Sequence, residues 1–235
     1  MSINDINKNS RLKRAWIDKA KNDANHYYET HIDSLIPAFE KELRQMGFEF
    51  EISNQTLGFM PRHKKEILPI VIKYYELAKE RQKFNEQNHF LTFFQYKGFE
   101  EIIPMLLEDF YSKETVELTR WFISDCIYQI RSKNFIKDYL DIVSNKKFGR
   151  NRQMIILLLG KLKEECAIST LVSLLEDEEV RLHAICALGE FKREEFRCYF
   201  ERFKDSTNPG WRKYARIAIN KLDQSGDGSM IDKRQ

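Results

Sequence analysis

Between residues 119 and 222 the apolar positions recur in four blocks that share one register. Each block carries an arginine followed seven residues later by a large aliphatic: Arg120 with Ile127, Arg152 with Leu159, Arg181 with Leu188, and Arg212 with Ile219. The arginines stand 32, 29 and 31 residues apart. With the residue before each arginine as position zero, offsets 0, 4, 7, 8 and 11 fall on one helical face. They are Thr119, Ile123, Cys126, Ile127 and Ile130; Asn151, Ile155, Leu158, Leu159 and Leu162; Val180, Ala184, Ala187, Leu188 and Phe191; and Trp211, Ala215, Ala218, Ile219 and Leu222. Eighteen of these twenty are apolar, where the 42% of the whole chain would supply about eight. The pattern predicts four helices built on one template.

A second series precedes each of these helices. Leu35-Ile36-Pro37, Leu68-Pro69-Ile70 and Ile102-Ile103-Pro104 lie 32 and 35 residues apart, and Ile136-Lys137, Ile168-Ser169 and Phe196-Arg197 continue the series by 33, 32 and 28. Proline fits the first turn of a helix, where its missing N–H has no partner to lose. Ile168, Leu171, Val172 and Leu175 give the i, i+3, i+4, i+7 stripe of an amphipathic helix. Each unit therefore reads as an outer helix, a turn and an inner helix. One such hairpin cannot cover both faces of its inner helix, and stacking on like neighbours can.

Leu171-Val172-Ser173-Leu174-Leu175-Glu176-Asp177, then Glu179-Val180-Arg181, Ala184, Ala187-Leu188-Gly189 and Phe191, resemble a HEAT repeat. Leu159-Gly160-Lys161-Leu162 and Asp205 with Trp211-Arg212 echo it. The resemblance covers residues 102–222 and extends in outline over 32–100. It implies an all-α fold, a right-handed α-solenoid of about six HEAT-like helical hairpins. It also implies a structural ladder of hydrogen bonds between repeats, with Asp177, Arg181, Asp205 and Arg212 as its members.

The first hundred residues depart from the template. Phe48-Glu49-Phe50-Glu51-Ile52 alternates strictly and precedes Ser53-Asn54-Gln55 and Leu57-Gly58-Phe59, which predicts a small β-hairpin near 48–60. Residues Asn85 to Lys97 read as a short helix. The chain thus divides into divergent N-terminal repeats over 1–100, regular repeats over 101–222, and a disordered tail over 223–235, around Gly226-Asp227-Gly228-Ser229.

Composition agrees with this reading and narrows it. Glycine and proline together number 14 of 235 residues, about half the usual share, which argues for few tight turns. A net charge of +3 names no nucleic-acid partner. Cys126, Cys166, Cys186 and Cys198 form no CxxC pair and have no histidine at ligand spacing, so no metal and no cofactor is expected. The longest apolar run, Met154 to Leu159, is far below the ~20 residues of a membrane span, and the N-terminus lacks an apolar signal core. The protein is accordingly expected in the cytoplasm, with reduced thiols.

In a HEAT-type stack, offsets 2, 6 and 10 of the inner helices should line a concave groove. They are Trp121, Asp125 and Gln129; Gln153, Leu157 and Lys161; Leu182, Cys186 and Glu190; and Lys213, Ile217 and Lys221. Accessible aliphatics and a tryptophan among polar neighbours are what a protein-binding groove presents. Trp121, Leu157, Leu182 and Ile217 would be the apolar anchors, with Asp125, Lys161, Glu190, Lys213 and Lys221 setting orientation. By analogy of fold, the resemblance implies a non-catalytic adaptor, enzyme regulator or immunity-type protein gripping a partner protein.

An alternative rests on Trp121 and Asp125, one helical turn apart. They resemble the tryptophan–aspartate pair of the HEAT-like alkylpurine DNA glycosylases, with Arg152 in the place of that family's arginine. The resemblance would make Asp125 the stabiliser of a cationic sugar while the N-glycosidic bond breaks, with DNA as partner. Cys186 departs from that family, which has an aromatic there. Six positive charges between Lys146 and Lys163 run without an acid, but Glu176-Asp177-Glu178-Glu179 interrupts any continuous phosphate track. The N-terminal cations Lys8, Arg11, Lys13, Arg14, Lys19 and Lys21 are diluted by Asp18 and Asp23. His26, Glu29 and His31 lack metalloprotease spacing, and Asp223, Ser225, Asp227 and Ser229 begin a calcium-type loop that Arg234 cannot close. Cys186 with His183 nearby is the remaining thiol candidate.

Overall fold

The computed structural model of the chain describes residues 33–48 and 60–227. Eleven α-helices, joined by short 3₁₀ turns, make up the regular structure of these residues, and no strand occurs among them. The β-hairpin expected near 48–60 lies, except for Phe48 and Met60, outside the described residues, as do His26, Glu29, His31 and the N-terminal cations. The chain divides into two compact units, residues 1–90 and 91–235.

In the first unit, α1 (Ile36–Gln45) packs against α2 (Lys64–Glu80). Phe39 is the centre of this core, with edge-on ring contacts to Tyr74 at 5.4 Å and Phe90 at 5.2 Å. Phe90 sits in α3 (Phe84–Leu91), the short helix expected over 85–97, which a 3₁₀ turn over Thr92–Phe94 prolongs. Glu86 on α3 is buried and accepts the backbone N–H of Leu35 at 2.9 Å, placing a carboxylate at the positive end of α1. Pro37 stands in the first turn of α1, as its sequence context predicts. Pro69 does not: it lies inside α2, exposed, because the helix begins five residues earlier at Lys64. Ile67, Leu68, Ile70, Val71, Tyr74, Tyr75 and Ala78 are all buried along α2, and that burial outweighs the one backbone bond proline removes.

The second unit contains four helical hairpins. Outer helices α4 (Ile103–Tyr111), α6 (Ile136–Ser144), α8 (Ile168–Ser173) and α10 (Arg197–Glu201) each pack on the inner helix that follows. The inner helices are α5 (Glu117–Ile130), α7 (Gln153–Leu162), α9 (Arg181–Gly189) and α11 (Pro209–Asp227). Each packs on the next, α5 on α7, α7 on α9 and α9 on α11. Of the twenty template positions, seventeen are buried, and Leu162, Trp211 and Ile219 are partly exposed. The helix α11 runs to Asp227, so the boundary expected at 222 falls five residues short; residues 228–235 lie outside the description.

Small residues set how closely the inner helices approach. A methyl group on Gly160 of α7 would lie 2.5 Å from Ala187 Cα on α9, and one on Gly189 would lie 3.3 Å from Ala218 Cβ on α11. Both contacts join offset 9 of one hairpin to offset 7 of the next. The turn after the first three inner helices repeats as well. Arg131, Lys163 and Lys192, all at offset 12, adopt left-handed backbone with φ of 60°, 53° and 55°. The chain thus ends these helices with basic side chains in a conformation that glycine adopts more cheaply, which is one reason its glycine content is low.

Candidate functional site

The four template arginines hold each hairpin together. Arg120 donates to Phe110 O and Ser112 O at 2.8 Å each, and Arg181 donates to Leu175 O at 2.6 Å and Glu176 O at 3.3 Å. Arg152 donates to Gly149 O and Val143 O, and Arg212 to Ser206 O and Thr207 O. Arg120, Arg152 and Arg181 therefore meet carbonyls at the end of the outer helix or of the 3₁₀ turn near it, where a cation also meets the negative end of the helix dipole, and Arg212 ties down the loop after α10. Of the ladder implied by the HEAT resemblance, one rung forms between hairpins: Arg152 Nη2 to Asp177 Oδ2 at 2.9 Å. Asp205 pairs with Arg216 at 3.0 Å, and Arg181 reaches the next hairpin by stacking on Trp211, 4.3 Å from the ring centre.

None of the twelve side chains expected to line a groove is buried. Trp121, Asp125, Leu157, Leu182, Cys186 and Glu190 are partly exposed, while Lys161, Lys213 and Ile217 are exposed. Like-numbered residues meet across neighbouring helices. At offset 10, Glu190 accepts from Lys161 at 3.0 Å and from Lys221 at 3.4 Å, so three successive inner helices are joined through one carboxylate. The two lysines hold the Glu190 pKa below the ordinary carboxylate value against the opposing effect of burial. At offset 2, Trp121 and Gln153 line one cavity of about 500 Å³ with Glu117, Leu118, Arg150 and Asn151. Leu118, 58% exposed, is an apolar group on this face that the template missed because it precedes offset zero.

Asp125 is half-buried one turn beyond Trp121. Its Oδ2 accepts from Gln95 Nε2 at 3.0 Å and its Oδ1 from Gln129 Nε2 at 3.4 Å. Burial raises its pKa, and the two amides oppose that rise. Gln95 carries no sequence signal. It follows a 3₁₀ turn thirty residues away, and only the packing brings it to this carboxylate.

Arg152 is not part of that group. It is 0% exposed and spends its donors on Gly149 O, Val143 O and Asp177, so it does not stand on the accessible face with Trp121 and Asp125. Cys186 is a poor nucleophile, because burial pushes its thiol to about 11. His183, also half-buried, is held at about 4 by burial and carries no charge to assist it. Among the described residues no group of three or more His, Cys, Asp or Glu side chains could hold a metal ion, and no helix is long and apolar enough to cross a membrane.

Comparison with known proteins leaves the geometry to speak for itself: no family model, no curated protein and no solved structure matches this chain.

Proposed function

We propose that residues 102–222 form a right-handed α-solenoid of HEAT-like hairpins that acts as a non-catalytic protein-binding module. The carrying observation is the Lys161–Glu190–Lys221 link across α7, α9 and α11. It joins offset 10 of three helices, and helical spacing would carry the same alignment one turn earlier to Leu157, Cys186 and Ile217. Trp121, Leu157, Leu182 and Ile217 keep accessible apolar surface on this face while their helices bury the opposite one. Accessible aliphatic and aromatic groups flanked by polar side chains are the composition of an interface core and rim. The offset 10 charges are matched internally, so they frame the face and leave Lys213 and Asp125 as its outward charges. An adaptor, regulator or immunity-type role in the cytoplasm is the biological form of this reading.

The test is affinity capture from the native cell with wild type, Trp121→Ala and the double variant Leu157→Asp, Ile217→Asp, followed by mass identification. A partner retained by wild type and weakened by ~2 kcal/mol or more in Trp121→Ala, with an unchanged melting curve, supports the module. A partner held equally by all three chains overturns it. A duplex titration at two salt concentrations decides the nucleic-acid alternative, for which a steep salt slope is required. That alternative would use Asp125 and Trp121 without Arg152 as a surface group.

A further inference from the structure

Asp125 differs from three other shielded carboxylates of its unit, each of which holds a cation. Asp177 holds Arg152, Glu164 holds Lys133, and Glu190 holds two lysines. Asp125 holds two neutral amides, with no Lys, Arg or His within ion-pair distance among the described residues. A carboxylate drawn out of water without a counter-charge is costly, and an incoming cation recovers much of that cost. The upward shift of its pKa, caused first by burial, is the same imbalance seen in its titration.

The two amide contacts also define what cation fits. A carboxylate offers about four acceptor positions, two on each oxygen. Gln95 occupies one on Oδ2 and Gln129 one on Oδ1, which leaves one free on each oxygen. Two parallel N–H donors satisfy that pair of positions, as a guanidinium does and a single ammonium does not. Trp121 lies one helical turn away on the same face of α5, and an indole is the best of the aromatic surfaces for a planar cation. The indole is itself partly exposed and borders the 500 Å³ cavity, so a side chain can approach it from solvent.

We propose that Asp125 and Trp121, with Gln95 and Gln129 as positioning residues, form a receptor for one arginine side chain presented by the partner protein. The inference rests on the protein-binding reading and adds the chemistry the partner must carry.

The experiment titrates the full-length, ¹⁵N-labelled chain with N-acetyl-arginine methylamide and, separately, with its neutral citrulline counterpart. The readouts are the Trp121 indole N–H and the side-chain amides of Gln95 and Gln129. The expected result is a saturable shift of these signals with the arginine compound, at least tenfold weaker with citrulline and at least tenfold weaker in Asp125→Asn. The citrulline comparison uses the wild-type chain, so it decides the matter even if the variant folds poorly. Equal responses to the two compounds, or no saturable response, overturn the proposal. The double variant Leu157→Asp, Ile217→Asp separates the two readings, because it removes the apolar row and leaves Asp125 intact. Loss of a captured partner there, with the arginine response preserved, supports both. A captured partner that Asp125→Asn binds at wild-type affinity overturns the arginine receptor and leaves the groove standing. An arginine response with no groove-dependent partner overturns the groove instead.

Discussion

Gly160→Ala probes the closest approach between inner helices. The added methyl would lie 2.5 Å from Ala187 Cα and 2.7 Å from both Ala187 Cβ and Ala187 O. Carbon atoms rest at about 3.5–4.0 Å, so α7 and α9 would have to separate by roughly 1 Å over a buried contact. The obstacle is backbone and cannot rotate aside. Overpacking of this kind costs about 1–3 kcal/mol, and the upper end applies here. Alanine returns about 1 kcal/mol through its better helix propensity. The net expectation is a loss of about 2 kcal/mol, or about 4–8 °C in Tm for a chain of this size. Gly189→Ala is the internal control. Its methyl would meet Ala218 Cβ at 3.3 Å, a few tenths of an ångström inside comfortable contact, so propensity and crowding nearly cancel. Urea unfolding followed by helical circular dichroism measures both variants. If Gly160→Ala is as stable as wild type, or if the two variants lose equally, the glycine-mediated contact between α7 and α9 is refuted.

Three further outcomes follow from the same structure. Arg152→Leu strips the buried partner from Asp177 and two carbonyls, and should cost about 3–5 kcal/mol in urea unfolding; a loss below about 1 kcal/mol would contradict the role assigned to this side chain. Lys163→Gly relieves a left-handed residue and should raise stability by about 1 kcal/mol, whereas an equal loss would place that turn elsewhere. His183 stays neutral in the fold to about pH 4 but takes up its proton near 6.5 when unfolded, so stability falls as pH drops from 6.5 to 4. That contribution is worth about 3 kcal/mol at ~1.4 kcal/mol per tenfold, and His183→Gln should lose about 2 kcal/mol less than wild type between pH 7 and about pH 4.5.

Much of the second unit is legible before any coordinates. A helix repeats every 3.6 residues, so offsets 0, 4, 7, 8 and 11 share a face, and seventeen of those twenty positions are buried. The same arithmetic picks out offsets 2, 6 and 10, none of which is buried. The HEAT resemblance assigns Arg181 and Arg212, with Asp177 and Asp205, to a ladder between repeats, whereas both guanidiniums donate to carbonyls within their own hairpin. Pro69 shows the limit of local rules. Proline alone predicts a helix start, and the buried stripe from Ile67 to Ala78 carries the helix through it.

Periodicity places residues on faces, and it is silent about what comes to meet them. That Gly160 touches backbone, that Glu190 joins two lysines 29 and 31 residues away, and that Gln95 reaches Asp125 across thirty residues are consequences of helix packing alone. The physical reason is the range of the interactions. Hydrophobic burial is non-directional and is written into composition and spacing, whereas hydrogen bonds and ion pairs act within about 3–4 Å and exist only once the tertiary structure has brought their partners together.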